Sequence, residues 1–164
     1  MFFLQKCYRQ GEVPEWFVRT GLVVGVLGLI DSAYLVVKHF AASKVIGGFC
    51  PLHEVGFIDC DRVTSSVYSY LLGVPLAVWG ALFYFLVVLF FAIALRKKDP
   101  PWLLSVIVVA TLASFAFSLW LMYAQIFKIG AVCTLCLISF GLSLVLFILD
   151  AILLIGCWKN KPWG

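Results

Sequence analysis

The chain has 164 residues, of which 64% are hydrophobic and only 12% are charged, and its formal net charge is +4. Soluble globular domains contain about 45–50% apolar and about 25% charged residues, so a soluble globule of this length is excluded. A disordered chain is excluded too, because disordered segments are poor in apolar residues and rich in charge. The basic residues form no stripe that would bind nucleic acid. They stand in small groups between apolar runs, which is typical of an integral membrane protein.

Four stretches are long and apolar enough to cross a bilayer, whose core is about 30 Å thick and needs roughly 20 helical residues. The first contains Arg19 and Lys38, which we expect to snorkel toward its two ends, and Asp31, which is costly in hydrocarbon. We predict an all-α integral membrane fold, a four-helix bundle that forms a single domain over residues 1–164. The predicted transmembrane helices lie near residues 17–39, 73–95, 102–127 and 132–155.

Basic residues divide unevenly between the two sides of the membrane. Four spans place both termini on one side, and residues 1–15 are too polar for the core of a cleaved secretory signal. The side of the termini holds Lys6, Arg9, Arg19, Arg96, Lys97, Lys98, Lys159 and Lys161. The other side holds Lys38, Lys44, Arg62 and Lys128. By the positive-inside rule, we expect cytoplasmic termini in an inner or plasma membrane.

The longest stretch between predicted spans is an outer loop over residues 40–72. Its first half is interrupted by residues that break regular structure, namely Gly47, Gly48, Pro51 and Gly56. Its second half, residues 62–72, is amphipathic. Gly73 follows it directly, and Pro75 is expected to begin the next helix. This pattern predicts a short helix lying on the membrane surface.

A C-x-x-C motif, Cys133 and Cys136, lies at the outer mouth of the fourth predicted helix. Residues three apart share a helix face, so the two sulfur atoms can meet. A thiol at a helix N-terminus is also acidified by the helix dipole, which raises the thiolate fraction needed for disulfide exchange. We interpret the pair as redox-active. The alternative is two buried, inert cysteines that pack as small hydrophobic residues.

Cys50 and Cys60 form a second pair on the same side of the membrane. A bridge closing about ten residues is sterically reasonable and stabilises by roughly 2–3 kcal/mol, so the pair alone would be a structural staple. Two neighbouring dithiols can instead pass electrons by exchange, each thiolate attacking the next disulfide. Zinc bound by all four outer cysteines is disfavoured, because nine residues separate Cys50 from Cys60, and we predict no metal. Cys7 and Cys157 are expected on the cytoplasmic side, where they take no part in this exchange between the outer cysteines.

A thiol relay needs an electron acceptor, and the sequence has no haem, flavin or dinucleotide signature. A lipid-soluble quinone, whether ubiquinone, menaquinone or vitamin K, is the simplest choice. Aromatic residues of the apolar runs are candidates for the lining of its pocket, although each of them also suits the core or the lipid face. These candidates are Trp79, Phe83, Tyr84, Phe115 and Trp120.

The order of these motifs resembles the vitamin K epoxide reductase family, whose signature is a loop cysteine pair, a following serine and a C-x-x-C on the last helix. The matching elements here are Cys50, residues 60–66 and residues 133–136. Residues 72–80 are similar to the start of the second helix in bacterial members. The resemblance covers roughly residues 17–155. In the other bacterial disulfide-generating quinone reductase the C-x-x-C precedes the second pair, which is the reverse order.

The resemblance implies a path for electrons. A reduced thioredoxin-like or DsbA-like partner attacks Cys50 and frees Cys60. Cys60 then attacks Cys133, which releases Cys136 beside the quinone as the terminal electron donor. Ser66 matches the family serine that hydrogen-bonds a quinone carbonyl, and its alternative role is a helix-end cap.

Two departures from vertebrate members favour plain quinone reduction over epoxide reduction. Those members carry an asparagine where Leu76 stands and a tyrosine where Phe140 stands. Phe140 and Phe83 are candidate quinone contacts. The chain ends at Gly164 with no thioredoxin domain, so we expect a separate partner. The remaining alternatives are a eukaryotic-type vitamin K epoxide reductase of the endoplasmic reticulum and a non-catalytic membrane protein with structural disulfides.

Overall fold

Four long helices dominate the structure, which is a computed structural model. It describes residues 15–41, 58–96 and 101–159. Within these ranges, the side chains at 41, 61, 101–104 and 156–159 are not described. Each of the four helices is long and apolar enough to cross a membrane, which confirms the predicted all-α, four-span fold class. Cys7, Cys50 and the glycine-rich first half of the outer loop lie outside the described residues. The four helices are α1 (Glu15–Ala41), α3 (Leu76–Ala94), α4 (Pro101–Tyr123) and α5 (Thr134–Lys159).

The segment before α3 differs from the single surface helix predicted over residues 62–72. It forms a short helix, α2 (Cys60–Thr64), then a 3-10 turn (Val67–Ser69) and a hairpin of β1 (Tyr70–Leu71) with β2 (Val74–Pro75). Hydroxyl groups in this segment bond to nearby backbone carbonyls, which offers the backbone an alternative to a continuous helix. These bonds join Thr64 to Cys60, Ser66 to Val63, and Ser69 to both Thr64 and Ser66.

The hairpin turn explains why α3 begins at Leu76 rather than near residue 73. Leu72 and Gly73 both have positive φ, 55° and 78°. A two-residue hairpin loop of this kind needs positive φ at both central positions, and glycine supplies it without strain. Pro75 ends β2 and directly precedes α3, so the helix starts only after the hairpin is complete.

The bundle is held most closely by α1 and α3, and α1 and α4 each also pack against α5. Gly21 and Gly28 lie on the face of α1 that meets α3. A Cβ atom at Gly21 would collide with the ring of Phe91, and one at Gly28 with the ring of Tyr84. Small residues at these positions therefore let two helices that carry large aromatic side chains approach each other.

The third span does not end as an ordinary α-helix. α4 continues into a π-helical segment (Ala124–Ile129), which stops at Gly130, whose φ is 67°. The N–H of Gly130 bonds to the C=O of Gln125, five residues back. Such π-segments are rare and rotate the side chains that follow relative to a regular helix.

The outer end of the bundle joins the outer loop to the start of α5. Ile58 and Val132 form a parallel bridge, and the N–H of Asp59 donates to the C=O of Val132 over 3.2 Å. A buried apolar cluster surrounds this contact. Its members are Leu35, Cys60, Val63, Ala131, Cys133 and Leu135. The pairing therefore fixes the short helix α2 beside the C-x-x-C.

Candidate active site

Cys133 occupies the N-cap position of α5 and is fully buried, whereas Cys136 is half-buried one turn further on. Both are free thiols, and their side chains are hydrogen-bonded to each other. The N–H groups of Leu135 and Cys136 also point to the sulfur of Cys133. An N-cap side chain normally accepts from the second and third amides of its helix, so the sulfur takes the place of a capping oxygen. The two sulfur atoms thus meet as the spacing predicts.

The pKa of the Cys133 thiol is lowered to about 7. The main cause is the hydrogen bond from the Cys136 thiol, which stabilises the thiolate. The two backbone amides and the positive charge of Lys38 act in the same direction, while burial opposes them. The thiolate is the nucleophilic form of cysteine, so a substantial share of Cys133 is in the reactive form at neutral pH.

This electrostatic arrangement predicts how Cys133 is alkylated. The thiolate fraction rises with pH through the pKa, so the initial rate should reach half of its maximum near pH 7, below the ordinary value for cysteine. Site-resolved mass spectrometry after brief iodoacetamide treatment measures this rate. In the Cys136→Ala variant the principal hydrogen bond is lost, and the midpoint should move upward. An unchanged midpoint in that variant would show that the Cys136 thiol is not the cause.

Gln125, on the π-helical segment, holds both cysteines of the motif and was missed by sequence reasoning. Its Oε1 accepts the N–H of Cys133 over 3.1 Å, and its side chain also bonds to Cys136. The side chain is only 6% exposed. The available signal was a lone amide in a run without charge, eight residues before Cys133.

Cys60 lies next to the C-x-x-C. Its side chain is buried, its sulfur is engaged in a disulfide, and it lies 3.6 Å from the Oγ1 of Thr134. Thr134 directly follows Cys133, so the loop cysteine and the first cysteine of the motif are near neighbours. Cys50, the predicted partner of Cys60, is outside the described residues.

Lys38 does not snorkel outward as the sequence suggests. Its side chain is 5% exposed, because α2 and the segment before α5 cover the last turns of α1. Its charge acts on the Cys133 thiol. A long basic side chain is therefore held inside the protein, beside the C-x-x-C motif, and not at the lipid–water boundary that the sequence predicted.

A cavity of about 460 Å³ occupies the space between α3 and α4, which touch each other little. Its lining is predominantly apolar and includes Cys136, but neither Cys133 nor Cys60. The predicted quinone contacts are all part of it: Ser66, Phe83 and Phe140, together with Trp79 and Tyr84. Of the other aromatic candidates, Phe115 stacks on Phe147 and Trp120 stacks on Phe117, and neither lines the cavity.

Ser66 reaches the cavity from the outer segment. Its hydroxyl donates to the C=O of Val63 over 2.8 Å, and it forms no side-chain cap on the 3-10 turn that it precedes. Val63 lies in the last turn of α2, so this bond is compatible with the alternative role of Ser66 at the end of that helix. To donate to another acceptor, the hydroxyl has to leave the carbonyl of Val63.

The described residues contain no group of three or more His, Cys, Asp or Glu side chains arranged to hold a metal ion. The fold and site define a membrane protein of four spans, with a C-x-x-C dithiol at one end and an apolar cavity that reaches one of its two sulfur atoms. The family model "Vitamin K epoxide reductase family" matches residues 20–151, most of the chain. The chain therefore belongs to the vitamin K epoxide reductase family, as its motifs suggest.

None of the curated proteins compared with the chain matches it significantly. Family membership and the four spans make it an integral membrane oxidoreductase, with the quinone-linked thiol chemistry that is general to the family.

Proposed function

We propose that the protein oxidises a thioredoxin-like or DsbA-like partner and passes the electrons through Cys50 and Cys60, then through Cys133 and Cys136, to a quinone. One observation carries the proposal. Cys136 lines the cavity, whereas Cys133 does not line it and is buried in one cluster with Cys60, so the two sulfur atoms have different surroundings. This division is what a relay from an external protein to a lipid-soluble acceptor requires.

The transfer between the two pairs is ordinary disulfide exchange. The partner's dithiol reduces the Cys50–Cys60 disulfide, and the Cys60 thiolate then attacks the sulfur of Cys133 in its disulfide with Cys136. The Cys60–Cys133 bond forms as the Cys133–Cys136 bond breaks, and Cys136 leaves as a thiolate at the cavity and takes up the proton that Cys60 lost on ionising. Cys50 next attacks Cys60 and releases Cys133. The contact between Cys60 and Thr134 supports this step, because it holds the attacking sulfur at the start of α5.

The cavity suits a quinone ring. Its volume falls within the range of about 300–1,000 Å³ for small-molecule sites, and its apolar wall is interrupted by a few hydroxyl groups. A bound quinone would accept two electrons and two protons from the dithiol. Leu76 and Phe140 line the wall without a polar group, which favours plain quinone reduction over epoxide chemistry.

We place the cysteines on the extracytoplasmic side and both termini in the cytoplasm, in an inner or plasma membrane. The support is the uneven distribution of Lys and Arg between the two sides. Disulfides persist outside the cytoplasm, so the relay would support disulfide formation there. The partner is proposed to be a separate protein.

The direct test is quinone reduction by purified protein in detergent or nanodiscs, with a reduced thioredoxin-like protein as donor. Absorbance reports loss of quinone, and thiol titration reports oxidation of the donor. One quinone should be reduced for each donor dithiol oxidised. Absence of quinone-dependent donor oxidation, with protein that remains folded, would contradict the proposal and favour a structural role for the disulfides.

Ser66 is expected to bind the quinone carbonyl. A hydroxyl donor in a dry pocket contributes roughly 0.5–1.5 kcal/mol, and more where charge develops on the acceptor, so Ser66→Ala should slow quinone reduction about tenfold. Exchange between donor and loop should not change, because no sulfur moves. The matched control is Ser65→Ala, whose exposed hydroxyl points to the C=O of Arg62 and not into the cavity. Equal kinetics of the two variants, with a lower melting temperature for Ser66→Ala alone, would leave Ser66 a purely structural role.

A further inference from the structure

Asp31 is a carboxylic acid in the middle of the otherwise apolar helix α1, and it is only 9% exposed. The hydroxyl of Ser139 donates to its Oδ2 over 2.5 Å. Within the described residues, the carboxylate has no salt-bridge partner. An ionisable side chain inside a membrane span is costly and is usually retained for a function, so this pair needs an explanation beyond packing.

Ser139 connects the carboxylate to the cavity. It lines the cavity, and it lies three residues after Cys136, on the same face of α5. Asp31 itself is not part of the lining, but it is close enough to Cys136 for their charges to interact. The Ser139 hydroxyl therefore links Asp31 to the cavity lining that also contains Cys136.

The surroundings of the pair contain few other ionisable groups. From α3, the hydroxyl of Tyr84 donates to the C=O of Ser139 over 3.0 Å and lies 3.1 Å from the Oγ of Ser143. From α5, Cys136 is the titratable neighbour. On α1 itself, Lys38 lies seven residues further along, about 10 Å along the helix axis. Asp31 is thus the one carboxylate among the groups that face this end of the cavity within the described residues.

Quinone reduction by a dithiol requires proton transfer as well as electron transfer. Two electrons leave the sulfur atoms of Cys133 and Cys136 as the disulfide forms, and the quinone becomes a hydroquinone with two new O–H bonds. Cys133 is already a thiolate when Cys50 releases it, so one hydroquinone oxygen takes its proton from water. The Cys136 proton has to move from sulfur to the other oxygen inside an apolar cavity.

We propose that Asp31 is the proton-relay residue of this reaction, taking the Cys136 proton through the Ser139 hydroxyl and returning it by the same hydroxyl to the hydroquinone oxygen. The proposal rests on the proposed quinone reduction and adds a role that the cysteines do not supply. Asp31 ends each cycle in its starting state, so no further reactant is needed. Its effect should fall on turnover rather than on quinone binding.

The test compares Asp31→Asn with wild type in the assay of donor-dependent quinone reduction. Asparagine keeps the shape and accepts the Ser139 hydrogen bond, but it cannot carry a proton. Positioned acid–base groups contribute about 10²–10⁴-fold, so kcat should fall roughly 100-fold or more. The quinone KM should stay within about twofold of wild type, because the substitution removes a proton carrier and no contact that binds the quinone. Asp31→Glu should restore most of the lost turnover, and only variants with a carboxylate should keep the acidic limb of the pH profile of kcat.

Two further variants keep the result decisive. Ser139→Ala breaks the connection while leaving the carboxylate, and it should lower kcat by a similar factor, roughly 100-fold or more, because Asp31 acts only through this hydroxyl. Asp150→Asn is the matched control, because Asp150 is a buried carboxylate that bonds to Thr111 on α4 and does not line the cavity, so its kcat should not change. If Asp31→Asn does not fold, Ser139→Ala decides.

Unchanged kcat in Asp31→Asn, or in Ser139→Ala where it decides, would overturn the relay. Reduction of the Cys133–Cys136 disulfide by the protein donor should remain normal in both variants. If wild type itself reduces no quinone, the proposed function fails, and with it the relay that rests on it. If wild type reduces quinone and the variants do so equally well, only the relay fails.

Discussion

Replacing Cys136 with serine should abolish quinone reduction. Cys136 is the only cysteine among the described side chains that lines the cavity, so no other sulfur there can pass electrons to an acceptor inside it. Loss of a reacting nucleophile lowers turnover by orders of magnitude, and we expect a decrease of at least roughly 10³-fold with the protein donor. The rate is measured by absorbance of the quinone. Cys7→Ser and Cys157→Ser, predicted on the cytoplasmic side, are the controls and should keep full activity.

The same variant should also trap the exchange intermediate. Without Cys136, the Cys133 thiolate can attack Cys60 in its disulfide with Cys50 and release the Cys50 thiol. The resulting Cys60–Cys133 disulfide can no longer be resolved by Cys136 and is in exchange only with the Cys50 thiol, so it should accumulate. Non-reducing peptide mapping should therefore find this pair in Cys136→Ser and not in the Cys133→Ser, Cys136→Ser double variant. Substantial turnover in Cys136→Ser would show that the relay ends on another group.

The transmembrane helices were predictable because the hydrophobicity of a span is the sum of contributions from consecutive residues. Length and apolar content require only that about 20 residues carry few charges, and the four resulting spans agree with the structure. The cysteine motif was predictable for a similar reason, since three-residue spacing on a helix brings two side chains together whatever surrounds them. Both features depend on local geometry alone.

Other features depend on contacts between distant segments, and these the sequence did not show. Burial of Lys38 follows from packing of α2 and the start of α5 over the end of α1, which no periodicity in α1 indicates. Gln125 reaches the C-x-x-C from a π-helical segment that no pattern in the sequence indicates. The amphipathic pattern of residues 62–72 was a misleading guide, because hydroxyl–carbonyl bonds and the turn at Leu72 and Gly73 divide this segment into short elements.

The hydrogen bond between Asp31 and Ser139 illustrates the same limit. The sequence marks Asp31 as a costly residue in an apolar helix, and the structure supplies its partner 108 residues away. A single sequence offers no signal that joins the two positions, because each is compatible with many neighbours. The chemistry of the cavity is therefore read from the packing of α1 against α5, and not from a motif.

Cys50 and Cys60 should be essential with a protein donor and dispensable with a small one. A folded partner cannot enter the apolar cavity, and Cys133 is fully buried, so a protein dithiol must react first with the loop pair. With a reduced thioredoxin-like donor, Cys50→Ser and Cys60→Ser should each lose activity by at least roughly 10³-fold, as expected when a nucleophile is removed.

A membrane-permeant dithiol should give a different result with the same two variants. Such a molecule reaches Cys136 through the cavity and reduces the Cys133–Cys136 disulfide directly, so both variants should keep activity within a few-fold of wild type. Cys136→Ser should remain inactive with either donor, because the final transfer is lost. The ratio of the two donor rates, measured for each variant, separates entry of electrons from their exit. Equal activity of wild type and Cys50→Ser with the protein donor would remove the loop pair from the relay and make its disulfide a structural link between the outer loop and α2.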